Sequence, residues 1–238
     1  MNASTKPVRI GVDIGGTFTD LQIYDARDGR IVAHKLPTTP EDPSIALVEG
    51  IKTAGQRYGF TLSDVGYLMH GTTIATNAVL ERKLPAGALV TTAGFEDVLE
   101  IGRHYRREVY SIHPQPVPAL IPRVRRFGFR ERMRFDGTVE RAPTEADIDA
   151  VIAKLSAADI ETVAIALLHS YVNPDHEQRL AKRIRQALPR LDVSLSSVIS
   201  PEIREYERTS TTVLNALLQP VVRAYRSEEH TSELQSPC

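Results

Sequence analysis

The sequence predicts an α/β fold: a mixed sheet flanked by helices and opening on a β-meander. Three observations carry this. Residues 8–14, 19–24 and 30–36 are short strand-like runs, and the glycine-bearing turns Gly15-Gly16 and Asp28-Gly29 separate them. Beyond Leu36, segments with helical spacing alternate with short apolar runs, the order of elements in α/β chains. No internal repeat with a period of roughly 20–50 residues competes with this reading, and no low-complexity segment is present.

The elements follow in order. Residues 40–59 are expected to be helical, with Asp42 as cap, Pro43 at the first position and a stripe of Ile45, Leu47, Val48 and Ile51. A short strand is expected at 65–69, and Thr72 or Thr73 opens a helix that ends near Leu80. Residues 87–91 form a buried strand and 95–102 a short amphipathic helix. Residues 103–122, with Pro114, Pro116, Pro118 and Pro122, form an irregular segment long enough to serve a site or wrap a partner. Residues 124–135 mix aromatic and basic side chains as an exposed strand does, with Arg123, Arg125, Arg126, Arg130, Arg132 and Arg134 on its outer side. Asp136-Gly137 turns it back through 138–141. Thr144, with Asp147 three residues on, caps a helix to Ala157. A buried strand at 162–168, a helix at 174–188 and a strand at 193–197 follow. Ser200-Pro-Glu-Ile then opens the last helical region, which includes 211–225. Residues 1–225 are expected to form one domain.

Composition bounds the function. The chain of 238 residues is 42% hydrophobic and 25% charged, with a formal net charge of −1, the balance of a soluble globular protein. No strong field favours nucleic acid or a membrane surface. No apolar run approaches the roughly 20 residues of a membrane helix, and residues 1–10 lack the apolar core of a signal peptide. The expected compartment is the cytoplasm. The single cysteine, Cys238, lies in the terminal segment, so thiolate and disulfide chemistry are not expected in the rest of the chain.

The densest chemistry is Asp13-Ile-Gly-Gly-Thr-Phe-Thr-Asp20. Asp13 is an acid within a mostly apolar strand. Gly15 and Gly16 let a ligand approach the backbone and expose its N–H groups, and Thr17 and Thr19 add hydroxyl donors. A neighbouring carboxylate suits Mg²⁺, which keeps several waters and takes one or two carboxylates. These are the parts of a phosphate grip; a tight hairpin turn with a capping Asp uses the same residue types. Asp20 either orients this group or hydrogen-bonds the turn. A second cluster, Gly71, Thr72, Thr73 and Asn77, lies at a strand-to-helix junction. There it either lines an anion site or supplies an N-cap. His70 is expected to be packed or at the surface. Arg103, His104, Tyr105, Arg106 and Arg107 form a basic, aromatic knot, either a carboxylate or partner site or a solvated face. His169, Asp175, His176 and Glu177 lack the spacing of a zinc site and fit a helix start.

The first string lacks the Gly-Lys-Ser/Thr ending of a Walker loop and the Gly-x-Gly-x-x-Gly turn of a dinucleotide fold. It resembles the first phosphate motif of the actin, sugar kinase and heat-shock ATPase superfamily. Its full wording is similar to the hydantoinase A / 5-oxoprolinase family within that superfamily. His70-Gly-Thr-Thr-Ile-Ala-Thr-Asn77, the segments 88–103 and 169–177, and Glu205-Tyr-Glu-Arg-Thr-Ser-Thr-Thr-Val-Leu-Asn215 agree in order. The resemblance implies an actin-like (ribonuclease H-like) fold that binds ATP and Mg²⁺. In it Asp13 serves as catalytic and metal-binding residue, and Gly15, Gly16, Thr17, Thr19, Gly71, Thr72, Thr73 and Asn77 contact the nucleotide. It also implies ATP-dependent opening of a cyclic amide such as hydantoin or 5-oxoproline, or a subunit of an ATP-dependent ketone carboxylase, with a hydantoinase B-type partner subunit. A small-molecule kinase of the same superfamily and a non-catalytic nucleotide- or partner-binding module are the alternative readings. A second Asp-x-Gly-Gly-Thr string is absent from these 238 residues, so the chain by itself is expected to be inactive.

The segment Arg226-Ser-Glu-Glu-His-Thr-Ser-Glu-Leu-Gln-Ser236 resembles a translated sequencing adapter. Residues 226–238 are therefore expected to be foreign to the fold, with other residues following Tyr225 in the native chain. Without Arg226, Glu228, Glu229 and Glu233 the formal charge becomes +1.

Overall fold

The computed structural model describes residues 6–39, 43–105, 110–113 and 118–234, without the side chains of 43–44 and 226–234. The chain divides into two compact units, Met1–Lys83 with Val221–Cys238, and Leu84–Pro220, where the sequence reads as one domain.

In the first unit, β1 (Val8–Ile14), β2 (Phe18–Asp25) and β3 (Arg30–Pro37) form an antiparallel meander. After α1 (Pro43–Tyr58), β4 (Val65–Thr72) pairs in parallel with β1 and leads into α2 (Ile74–Leu80). The sheet order is β3-β2-β1-β4. Strict alternation sends Val8, Ile10, Val12 and Ile14 to the core face, with Leu21 and Ile23 beside them. Ile51 and Ala54 of α1 close over that face, together with Phe60 and Tyr225. Gly50 permits the close approach of α1, since a Cβ there would meet Leu36 and Leu21 side-chain carbons at 2.9 and 3.0 Å. Ile45, expected in the apolar stripe, is 52% exposed, and Ala46 is buried instead. The expected Asp42 cap lies outside the described residues. The helix stops at Gly59, whose φ of +81° suits glycine.

Asp25 ends β2. The Arg27 guanidinium reaches both its carboxylate oxygens, with Nε 2.9 Å from Oδ1 and Nη2 2.6 Å from Oδ2. This charge-assisted contact lowers the carboxyl to about 2. A lowered folded value means the contribution is complete above the unfolded value of about 3.9 and is lost as the pH falls through about 2. The stability gap between the natural protein and Asp25→Asn should therefore be constant at neutral pH and close between about pH 4 and pH 2. Denaturant titrations across that range check it, and a gap that widens on acidification would contradict the assignment.

The second unit is built on a parallel sheet. It contains β5 (Gly87–Thr92), α3 (Val98–Ile101), β6 (Arg126–Phe129), β7 (Arg132–Met133), β8 (Val139–Arg141), α4 (Glu145–Ala157), β9 (Thr162–Ala166), α5 (Asp175–Ala187), β10 (Asp192–Leu195) and α6 (Ser196–Ile199). The last helix, α7 (Glu205–Leu234), begins in this unit and ends in the first. Strands run β10-β9-β5-β6, all parallel, and β7 pairs antiparallel with β8. Every residue of β5 and β9 is buried, as expected of parallel strands covered on both faces. Ile148, Val151 and Leu155 of α4 and Leu180 and Ile184 of α5 cover one face. Val213, Ala216 and Leu217 of α7 cover the other with Ile121. Thr144 caps α4 as expected: its hydroxyl accepts the Asp147 N–H, and the Asp147 carboxylate accepts the Thr144 N–H.

Residues 124–135 depart from the expected exposed strand. Only 126–129 pair with β5. Phe129 and Met133 are fully buried, and Arg126 is 4% exposed, its guanidinium held by the Ile121 carbonyl and Glu100. Arg126 therefore points inward among partners supplied by other segments. The expected helix at 95–102 shortens to α3. Arg103 of the basic knot pairs with Glu207 at 2.7 Å, and Tyr105 is exposed. Arg106, Arg107, Pro114 and Pro116 lie outside the described residues.

Acids after β6 and at the start of α5 pin the carboxyl end of this sheet. Glu131 bonds Thr92 and His176, the latter at 2.7 Å. Glu177 is fully buried and accepts from the Leu167 N–H at 2.9 Å, the Ser196 hydroxyl at 2.6 Å and the Ser197 N–H at 2.9 Å. Arg208, also buried, donates to the carbonyls of Leu167 and Glu202, and burial pushes its guanidinium below the usual value. His176 and Glu177, read from sequence as helix-start residues, thus stitch neighbouring strand ends together. The side chains of 226–238, expected to be foreign to the fold, lie outside the described residues.

Candidate functional site

The corner between β1 and β2 is built by hydrogen bonds that use some of its polar groups and leave others open. The Gly15 N–H donates to the Phe18 carbonyl at 3.0 Å and closes the turn. Thr38, just past β3, donates its N–H to the Thr17 carbonyl at 3.0 Å and its hydroxyl to the Gly15 carbonyl at 2.8 Å. The Thr19 hydroxyl is then the donor of the 2.9 Å contact with Thr38. Thr19 is fully buried, so it braces the turn from below and is not presented to a ligand, contrary to the expected phosphate contact. The N–H groups of exposed Gly16 and Thr17 meet no protein acceptor among the described residues.

A pocket of about 360 Å³ opens beside this corner, lined by Ile14, Gly15, Gly16, Thr38, Thr72, Ile74, Asn77, Ala78, Glu81, Lys83 and Val221. A Cβ added to Gly16 would stand 3.4 Å from Asn77 Nδ2, so glycine keeps this wall open. Thr72 donates its hydroxyl to the Ile14 carbonyl at 3.3 Å and accepts the Ile74 N–H at 3.2 Å. It starts α2 while tying it to β1. Asn77 Nδ2 donates to Thr73 Oγ1 at 3.2 Å, which orients the amide. Thr73 shows no side-chain cap. Lys83 pairs with Glu81 at 2.7 Å at the rim, which raises the Lys83 ammonium above its usual value.

Asp13 lies on the opposite side of the sheet from Ile14. It is exposed and absent from that pocket's lining. Across the strand pair it faces Asp20, and on its other side Gly71 of β4. Asp20 is held by Lys35 at 3.1 Å, whereas the Asp13 carboxylate has no hydrogen bond or ion pair among the described residues. Two acids directly opposite each other repel, an arrangement a bound cation relieves.

The structure thus gathers Gly15, Gly16, Thr72 and Asn77 around one pocket. Thr73 stands behind Asn77, Thr17 is exposed at the turn, and Asp13 and Gly71 sit on the other face of the same strand ends. The sequence reading missed Thr38, Glu81 and Lys83. Thr38 is brought to the turn by the β2–β3 pairing and the other two by α2, and no local pattern marks them.

A meander closed by a parallel strand, with a glycine turn at its first corner and helices on the sheet, places the first unit in the actin-like, ribonuclease H-like class. The chain belongs to the hydantoinase/oxoprolinase N-terminal region family, whose profile matches residues 9–188. It is 36% identical over 228 residues to caprolactamase subunit alpha of Pseudomonas jessenii, covering 93% of this chain and 33% of that protein. The crystal structure of ATP-dependent caprolactamase from that organism superposes with a TM-score of 0.84 over 96% of this chain and 34% of the other. The nucleotide-free structure of acetone carboxylase gives the same TM-score at 28% identity, over 95% of this chain and 34% of the other. The 5-oxoprolinase of Saccharomyces cerevisiae is 32% identical over 92% of this chain and 20% of its own length. The chain therefore spans between a fifth and about a third of these relatives. No helix among the described residues is long and apolar enough to cross a membrane.

Proposed function

We propose that this chain is the N-terminal part of an ATP-dependent enzyme that opens a cyclic amide, acting with a second, hydantoinase B-type subunit. The observation that carries the reading is the likeness to ATP-dependent caprolactamase, at 36% identity over 96% of this chain. The residues fit a nucleotide. Gly16 and Thr17 offer N–H groups without acceptors among the described residues, Asn77 lies across the pocket, and no Cβ fills the Gly16 wall. Asp13, with Asp20 opposite, suits a hydrated Mg²⁺. In this reading Gly16, Thr17 and Asn77 hold phosphate oxygens by donating N–H, and Thr38 and Thr19 keep the turn rigid so that those donors are aimed beforehand. When bound, ATP would supply a phosphoryl group to the amide oxygen, which would make the amide carbon a better electrophile for water while the ring nitrogen leaves with a proton, and positioning is most of what a protein contributes to such a transfer.

A ketone-carboxylase role is the second reading, favoured by the equal superposition on acetone carboxylase. Phosphate release by the full-length protein and its partner subunit separates the two. Stimulation by 5-oxoproline, hydantoin or caprolactam supports the amide reading; stimulation only by a ketone with bicarbonate supports the second. Release that no such compound changes would overturn both. The chain of 238 residues alone should release little phosphate, and robust turnover by it would misplace the site.

A further inference from the structure

Strand pairing in the first unit sets Gly71, Asp13, Asp20 and Lys35 side by side in one row. Alternation puts the row on the face away from the core, at the strand ends that meet the glycine turn. Gly71 leaves the flank of Asp13 open, since a Cβ there would meet nothing within 4 Å. Of the two acids, Asp20 is the one that is held. The Lys35 ammonium lies 3.1 Å from each of its carboxylate oxygens. The same ammonium stands 4.7 Å from the centre of the ring of Phe18, whose carbonyl closes the turn.

This ion pair does little for the fold. The Lys35 and Asp20 side chains are 56% and 46% exposed, and exposed pairs of this kind contribute little to stability. It does change what Asp20 can do. A hydrated divalent cation at Asp13 takes one or two carboxylates, and Asp20 is the second carboxylate of the row. Lys35 stands in that place as a monovalent cation already carried by the chain. Its ammonium is a compact charge on a flexible four-carbon stem, so it can let go of Asp20 without moving the strands. Once displaced, it remains beside a turn whose Gly16 and Thr17 N–H groups have no acceptor among the described residues. An ammonium and two open N–H groups suit the same kind of ligand, an anion such as the terminal phosphates of a nucleotide.

We propose that Lys35 is a nucleotide-binding residue that exchanges partners. Without metal it holds Asp20. When a divalent cation binds, Lys35 yields Asp20 and turns its ammonium to the terminal phosphates of the nucleotide. Metal and nucleotide thereby favour each other's binding through one lysine. The inference rests on the reading of this corner as a nucleotide and Mg²⁺ site.

Two binding measurements on the full-length, native-sequence protein test it, comparing Lys35→Met with the parent. Mn²⁺ in place of Mg²⁺ is titrated without nucleotide and followed by the electron paramagnetic resonance of the free ion. It should bind about threefold more tightly to the variant, because a competing cation on the scale of an exposed ion pair is gone. A non-hydrolysable ATP analogue, titrated calorimetrically at saturating Mg²⁺, should bind about tenfold more weakly, because a charged contact to phosphate is gone. Opposite shifts are the signature. Any other pattern, such as both affinities moving together or neither moving, would overturn the exchange, and the nucleotide reading would stand as long as the parent binds both ligands. A parent that binds neither would sink that reading and this inference with it.

Discussion

Asp13→Ala in the full-length protein is expected to reduce Mg²⁺-dependent phosphate release by about 10²–10³-fold without lowering the unfolding midpoint. The two halves of this expectation rest on different observations. The carboxylate is exposed and has no partner among the described residues, so alanine removes no contact and creates no cavity. Its nearest charged neighbour across the sheet is another acid, Asp20, so the fold gains slightly from the loss. In the proposed reading, a bound cation accounts for a group that costs the fold something and sits at the end of the strand entering the glycine turn. Phosphate-release kinetics at varied Mg²⁺, alongside thermal unfolding, decide the matter. Unchanged turnover would remove Asp13 from the machinery, and a drop in midpoint of many degrees would make it a structural residue.

The largest stability effect is expected at Glu177. Alanine there strands the Leu167 and Ser197 N–H groups, leaves the Ser196 hydroxyl with Ser170 alone, and deprives buried Arg208 of its neighbouring opposite charge. Breaking a buried charge system by removing one member costs about 3–5 kcal/mol, a large share of the roughly 5–15 kcal/mol that holds a typical domain together. Denaturant unfolding should show that loss. Glu177→Gln, which keeps one acceptor oxygen and the shape, should recover part of it. A cost under about 1 kcal/mol for alanine would mean that the Glu177 network is not what secures the end of β9.

The elements that depend on local chemistry were legible from sequence. The bounds of β1 coincide with the expected 8–14, and the Thr144–Asp147 box and the Asp28-Gly29 and Asp136-Gly137 turns stand where their residues placed them. Features set by distant partners were not. Arg126 reads as a surface arginine because the groups that bury it, Glu100 and the Ile121 carbonyl, belong to a preceding segment. Thr19 reads as a phosphate donor because its hydroxyl partner, Thr38, becomes adjacent only when β2 and β3 pair. Much of the candidate corner was visible, since Gly15, Gly16, Thr72 and Asn77 do converge. The separation of Asp13 from that pocket follows from a strand period of two, which already sets Asp13 and Ile14 on opposite faces. The division into two units was hidden because the first is discontinuous in sequence, and no composition change marks Lys83 or Pro220.

That discontinuity has a consequence during synthesis. Residues 84–220 are one uninterrupted stretch, and all four strands of the parallel sheet lie within it. The strands of the other unit leave the ribosome before that stretch, yet Tyr225, which follows it, belongs to their core. Bacterial and eukaryotic ribosomes add about 5–20 residues per second, so the meander waits on the order of 10 s for this core side chain. During that interval the later-made unit can complete itself while the earlier-made one stays unfinished. Nascent chains arrested before Tyr225 should therefore be more susceptible to proteases in residues 6–83 than in residues 84–220.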